Sequence, residues 1–294
     1  MSYRSVFRPG LFADRHIVVT GGGSGIGRCT AHELAALGAH VTLIGRKEDK
    51  LKKVAAEIEE DGGTADLTTL DIRVEDDVKR VVKEVYAKHG KIDGLVNNAG
   101  GQFPAPLAAI NQKGFETVVR TNLVGGFLVA REVFVQGMNR RGGSIVNIVA
   151  DVHNGMPGMG HSGAARAGMV NFTKTAAVEW APAGVRVNAV APGWVASSGL
   201  DTYEGPVKAM IPKLRDAVPL KRMATEAEIS SGICFLLSEG AAFITGTTLC
   251  IDGGAPLAPH HWPMPDHDNS APYDGFHRAV VPEILRSSKA PERE

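Results

Sequence analysis

Residues 16–47 read HIVVTGGGSGIGRCTAHELAALGAHVTLIGRK. His16–Thr20 is a short β-branched run, a glycine cluster follows, and Arg28–Leu37 has helical rhythm until Gly38 stops it. His40–Ile44 opens a second strand. Glycines between a strand and a helix let the backbone approach a pyrophosphate closely. The helix then offers free N–H groups and the positive end of its dipole. Gly21, Ser24, Gly25, Ile26 and Gly27 are therefore candidate dinucleotide ligands. Their spacing is Gly-x-x-x-Gly-x-Gly, not the Gly-x-Gly-x-x-Gly of the common fingerprint, and taken alone it also admits an ordinary glycine-rich turn.

The same alternation continues outward. Strands are expected at Ala65–Asp71, Ile92–Asn97, Ser144–Val149, Val185–Val190 and Thr247–Ile251. Helices are expected at Lys50–Glu60, Glu75–His89, Phe115–Arg140 as one unbroken rod, and Ser162–Ala181. Thr225 and Glu228 form a capping box before Ile229–Ser238. Strands alternating with helices imply a parallel sheet covered on both faces. Apolar runs such as Ile17-Val18-Val19 fit doubly covered strands. The expectation is a single doubly wound, Rossmann-type α/β domain with a parallel sheet of seven strands. It spans residues 1–255, with a substrate lid within the Gly- and Pro-rich segment 195–220. Residues 256–294 read as an extended tail that packs on a neighbouring subunit.

Bulk properties narrow the functional classes. The 294 residues carry 32 basic and 32 acidic side chains, so nothing marks a nucleic-acid surface. Hydrophobic residues make up 44%, yet no apolar run approaches a membrane span. Cys29, Cys234 and Cys250 are scattered and read as reduced thiols, and residues 1–15 lack a signal-peptide core, so a cytoplasmic location is expected.

The second strand ends Ile44-Gly45-Arg46-Lys47. An acid there would bind the ribose hydroxyls of NAD; Arg46 is instead placed to clamp a 2′-phosphate, which favours NADPH. The alternative is that Arg46 and Lys47 are solvated charges at a helix start.

Four segments then occur in order: Thr20–Gly27, Asn97-Asn98-Ala99-Gly100, Thr121-Asn122-Leu123 and Ala191-Pro192-Gly193. Together they resemble the short-chain dehydrogenase/reductase superfamily over roughly residues 10–255. The resemblance implies that Asp71 and Ile72 lie beside the adenine, that Asn98, Ala99 and Gly100 line the ribose, and that Pro192-Gly193 approaches the nicotinamide. Asp71 also admits a helix-capping role ahead of Glu75–His89. A homotetramer is implied as well.

The catalytic segment departs from that family's Ser, Tyr-x-x-x-Lys and Asn set. In His161-Ser162-Gly163-Ala164-Ala165-Arg166, Ser162 stands at the tyrosine position and Arg166 at the lysine position. Val149 or Ala150 occupies the serine position; Asn122 is retained. A serine hydroxyl is a poor proton donor without an activator, and an arginine stays protonated. Ketone–alcohol exchange is thereby disfavoured. Reduction of a conjugated C=C bond asks instead for donors to an enolate oxygen, which Ser162 and Asn122 can supply, with Arg166 holding the ribose.

His161–Gly168, Asn97–Phe103 and Pro265–Asn269 are also similar to the peroxisomal trans-2-enoyl-CoA reductase group, with the 2,4-dienoyl-CoA reductases as relatives. That resemblance implies an NADPH-dependent enoyl reductase acting on an acyl-CoA-type substrate. The dienoyl group's catalytic tyrosine corresponds to Asp151, and the enoyl group's tyrosine beyond the arginine to Val170. Gln102, Phe103 and His161 are candidate substrate contacts, each also readable as packing or capping. His260, His261, His267, Asp266 and Asp268 match no fixed ligand set, so no metal is expected. Two rival readings remain: a carbonyl reductase using Tyr203 or His161 as proton donor, and an NADPH-binding protein without turnover.

Overall fold

A computed structural model describes residues 2–258 and 263–286. Seven strands form one parallel sheet: β1 (His16–Thr20), β2 (His40–Gly45), β3 (Thr64–Thr69), β4 (Gly94–Asn97), β5 (Gly143–Ile148), β6 (Val185–Pro192) and β7 (Thr248–Ile251). Their order is β3-β2-β1-β4-β5-β6-β7, so the sequence reverses direction beside β1. A crevice opens there at the carboxyl ends of the strands, where doubly wound sheets bind ligands.

Helices cover both faces. On one side α1 (Gly25–Ala36), α2 (Glu48–Glu60) and, later in the chain, α9 (Glu226–Leu237) bury Leu34, Leu51, Ile58 and Ile233 against Val19, Val41 and Val146. On the other, α3 (Glu75–His89) puts Val78, Val81 and Val82 against Val18, Ile44 and Leu95. The expected capping box is present: Glu228 N–H donates to Thr225 Oγ1, and Thr225 N–H to a Glu228 oxygen.

The predicted rod over 115–140 is not a uniform helix. It runs as α4 (Gln112–Val119), a π-helical turn at Arg120–Gly125, α5 (Gly126–Val133), a second π turn at Phe134–Met138 and α6 (Asn139–Arg141). Each π turn inserts a residue that hydrophobic periodicity does not register, and such turns cluster at functional sites. After β5 comes α7 (Gly160–Trp180). Segment 195–220 contains short 3₁₀ turns and α8 (Gly205–Met210).

The described part of the tail packs on its own chain. It is irregular until α10 (Glu283–Arg286). Arg278 grips Asp61 and Glu60, Phe276 is buried against Tyr3 and His32, and Glu283 N–H donates to Asp201 in the 195–220 segment. His267 bonds the Pro219 carbonyl and Asp266 faces Arg215, so these two tail residues brace that segment; His260 and His261 lie outside the described residues. No described helix is long and apolar enough to cross a membrane.

Candidate active site

The first half of the site is the turn after β1. Gly21 has φ 67°, a left-handed conformation that L side chains rarely adopt. A Cβ on Gly27 would lie 2.4 Å from the Gly21 carbonyl oxygen, so only glycine lets α1 close onto the turn. Asn98 was expected to line the ribose. Its Nδ2 donates to the Thr20 carbonyl, while Thr20 Oγ1 accepts the N–H groups of Asn98 and Ala99. Asn98 thus ties the loop after β4 to the glycine turn.

Gly21, Ser24, Arg46, Asp71, Ile72, Ala99 and Gly100 line one cleft of about 190 Å³, together with Lys47, Lys50, Arg73 and Thr121. That volume suits one end of a dinucleotide, not all of it. Gly25, Ile26 and Gly27 sit behind it in the first turn of α1, and Pro192 and Gly193 at the carboxyl end of β6. Asp71 does not cap α3. Arg73 holds its carboxylate at 2.6 Å, and that pairing, assisted by Arg46, pulls the Asp71 pKa down to about 2. Arg73 takes up Asp71, the acid among the residues lining the cleft. Arg46, Lys47 and Lys50 form no ion pair within 4.0 Å among the described residues, leaving the cleft edge basic. A glycine cradle with an unpaired basic rim fits a phosphorylated dinucleotide.

The second half is organised by four consecutive residues after β4. A Cβ on Gly100 would lie 2.6 Å from Arg166 Nη2 and 3.0 Å from Asn122 Oδ1, so glycine admits both groups. Gly101 N–H donates to Asn122 Oδ1 at 2.9 Å. Ser162 Oγ lies 2.5 Å from the Gln102 side-chain oxygen. The Phe103 ring meets His161 edge to face at 4.4 Å. Gly100-Gly101-Gln102-Phe103 therefore touches Arg166, Asn122, Ser162 and His161 in turn.

Asn122 sits in the first π turn and is 2% exposed; Ser162 and His161, in the first turn of α7, are fully buried. Arg166 donates Nη1 to the Ile148 carbonyl. Burial lowers its pKa to about 10, which leaves it protonated at neutral pH. His161 Nδ1 accepts the Ser162 N–H, so the ring proton resides on Nε2. That Nε2 and Asn122 Nδ2 are buried without a hydrogen-bond partner. Unsatisfied buried donors are costly and mark places where a ligand oxygen is expected.

The substituted positions are equally informative. Val149 is buried among Met169, Ala189 and Ala191, with Val170 packed against them, so neither offers a polar group. Asp151 accepts the His153 N–H. Of the four tyrosines, Tyr3 bonds Glu33, Tyr86 the Val133 carbonyl and Tyr273 the Arg4 carbonyl. Burial pushes the pKa of Tyr86 and Tyr273 up to about 12. Tyr203 lies just after the 3₁₀ turn at Ser198–Thr202. Lys50, Arg73 and Thr121 were not among the expected cofactor ligands, although Thr121 stands beside Asn122 in one of the four matched segments.

This combination of fold and crevice defines a nicotinamide-dependent oxidoreductase. The chain belongs to the short-chain dehydrogenase/reductase family: a family model described as Enoyl-(Acyl carrier protein) reductase matches residues 21–256. It is 40% identical over 256 residues to a glucose 1-dehydrogenase of Gluconobacter oxydans, covering 84% of this chain and 93% of that protein. It is 33% identical over 257 residues to a peroxisomal 2,4-dienoyl-CoA reductase of Danio rerio, covering 86% and 85%. Among solved structures, a citronellol catabolism dehydrogenase of Pseudomonas aeruginosa PAO1 is 64% identical, with TM-score 0.79 over 86% of this chain and 99% of that one. A putative gluconate 5-dehydrogenase of Beutenbergia cavernae with bound NADP is 32% identical, with TM-score 0.80 over 85% and 100%.

Proposed function

We propose that the protein reduces the C=C bond of an α,β-unsaturated acyl thioester of the trans-2-enoyl-CoA type, using NADPH. The observation that carries this reading is the pair of unpartnered buried donors, Asn122 Nδ2 and His161 Nε2, beside Ser162 and Arg166 where the family places tyrosine and lysine. NADPH, when bound, supplies the hydride. The glycine turn and the dipole of α1 hold its pyrophosphate, Arg46 and Lys50 its 2′-phosphate, and Arg166 the nicotinamide ribose. Hydride arrival at the substrate β-carbon moves charge onto the thioester oxygen. Asn122, His161 and Ser162 donate to that oxygen, and Arg166 adds positive charge nearby; water protonates the α-carbon. Preorganised donors of this kind contribute about 3–4 kcal/mol each to a transition state. Gln102 positions Ser162. Ser162 Oγ donates to Gln102 Oε1 at 2.5 Å, and that hydroxyl proton turns to the substrate oxygen when this acceptor enters the site.

A second reading is favoured by the 64% identity to the citronellol catabolism dehydrogenase: oxidoreduction between a branched isoprenoid alcohol and its carbonyl. Nicotinamide absorbance assays separate the two. Crotonyl-, hexenoyl- and decenoyl-CoA with NADPH are run against citronellal with NADPH and citronellol with NADP, in wild type, Ser162→Ala and Arg166→Ala. Turnover of the thioesters, lost in both variants, supports the enoyl reductase. Turnover of citronellal or citronellol alone replaces it with the alcohol–carbonyl reading.

A further inference from the structure

At the opposite end of the sheet, three side chains from three elements converge. His40 opens β2, Asp66 lies near the start of β3, and His89 ends α3. The parallel register pairs His16 with His40, and Thr42 with Asp66, so all four point to the face that α3 covers. Asp66 Oδ2 is 2.9 Å from the Nε2 atoms of both His40 and His89. All three ligand atoms lie within 4.8 Å of one another. We propose that His40, Asp66 and His89 form a binding site for a divalent transition-metal ion of the Zn²⁺ class, remote from the cofactor crevice.

The donor set has the chemistry for this. Two imidazoles and one carboxylate, with no thiolate, suit Zn²⁺ or Co²⁺ and disfavour Mg²⁺ and Ca²⁺, which prefer all-oxygen shells. Bonds of about 2.0–2.1 Å at a tetrahedral angle separate ligand atoms by about 3.3 Å. The two 2.9 Å separations therefore have to open by only about 0.4 Å to admit an ion.

The surroundings are arranged as an outer shell. Lys88 Nζ holds the other carboxylate oxygen, Asp66 Oδ1, at 2.7 Å, which fixes the carboxylate and leaves Oδ2 to the ion. His16 lies tilted against His89, with ring centroids 4.1 Å apart and planes 33° apart. Its own nitrogens are taken by the Lys91 carbonyl and Thr42, so it supports the His89 ring without competing as a ligand. His40 and Asp66 are about a third and a quarter exposed, at 33% and 27%, so an ion has an entry path and water can take the fourth position. The residues are 26 and 23 apart in sequence, with no motif spacing; only strand register and the return of α3 bring them together.

The test uses the full chain, free of any affinity tag and stripped with chelator. Calorimetry with Zn²⁺ and visible absorption with Co²⁺ are read in wild type, His40→Gln and His89→Gln. One equivalent with micromolar or tighter affinity, intense four- or five-coordinate Co²⁺ bands, and affinity loss of about 100-fold in each variant are expected. NADPH binding, at the far ends of the same strands, checks that the variants fold. X-ray absorption of the Zn²⁺-loaded wild type needs no variant and should show two imidazole nitrogens. Binding unchanged in both folded variants, no binding in the wild type, or a zinc shell without two imidazoles overturns the site.

Discussion

Gly100→Ala places one methyl group against both Arg166 and Asn122. The added Cβ would lie 2.6 Å from Arg166 Nη2 and 3.0 Å from Asn122 Oδ1. A comfortable contact needs about 3.5 Å, so the guanidinium has to move by roughly 0.9 Å. The backbone does not resist, because Gly100 is absent from the positive-φ glycines. The far end of a long side chain yields cheaply, so stability should change by no more than about 1 kcal/mol. Catalysis should not be so tolerant, since misplacing a positioning group by about 1 Å costs on the order of 100-fold. The expected result is a Tm near wild type and kcat on the enoyl thioester about 30–100-fold lower, with a smaller rise in KM for NADPH. Steady-state kinetics beside a thermal melt reads both. A folded Gly100→Ala enzyme with kcat within about twofold of wild type would refute the placement of Arg166 and Asn122 at the reacting atoms.

Arg46→Ala should raise KM for NADPH by about 10–100-fold and leave KM for NADH nearly unchanged, the loss expected of a charge-assisted hydrogen bond to phosphate. An equal effect on both cofactors would remove the 2′-phosphate assignment. Glu226, buried beside the glycine turn, has its pKa raised to about 7, chiefly by desolvation and against the pull of Arg28. Its folded pKa exceeds the unfolded value near 4.5, so the neutral carboxyl's contribution is present below pH 4.5 and is lost as pH rises through about 7. Glu226→Gln should therefore raise Tm at pH 8 relative to wild type and have little effect at pH 4.5; melts at both pH values decide it. Gln102→Leu should lower kcat about tenfold with NADPH affinity unchanged, because it loosens Ser162 without touching the cofactor cleft. A change confined to cofactor affinity would contradict that role.

Most of the fold was legible because strands buried on both faces must be continuous apolar runs and the helices between them keep one apolar stripe. Glu75–His89 is a helix over the expected residues, and β1 falls on His16–Thr20. Boundaries failed where hydrogen bonding, not hydrophobicity, decides. The π turns around Asn122 and Gln136 interrupt what hydrophobic rhythm presents as one helix. The tail's contacts with its own chain were illegible because Arg278 finds Asp61 across 217 residues of chain.

At the site, the sequence marked Ser162, Arg166 and Asn122 through their departure from, or agreement with, a family pattern. The pairing of each with one residue of Gly100–Phe103 follows from loop geometry that no spacing encodes. Asn98 illustrates the converse. Its place in the motif suggested a ligand contact; its second role, donating its amide to the carbonyls of the glycine turn, is visible only in the folded turn.

Under the proposed function, hydride is delivered to carbon–carbon unsaturation at a site built from Ser162, Arg166 and Asn122. The most direct measurement is the fate of deuterium from NADPH deuterated at the nicotinamide C4, with decenoyl-CoA as acceptor and citronellal in a parallel reaction. One deuterium is expected at the β-carbon of the saturated acyl thioester, with no label transferred by Ser162→Ala or Arg166→Ala. Deuterium on the carbinol carbon of citronellol, with the thioester unlabelled, would contradict it.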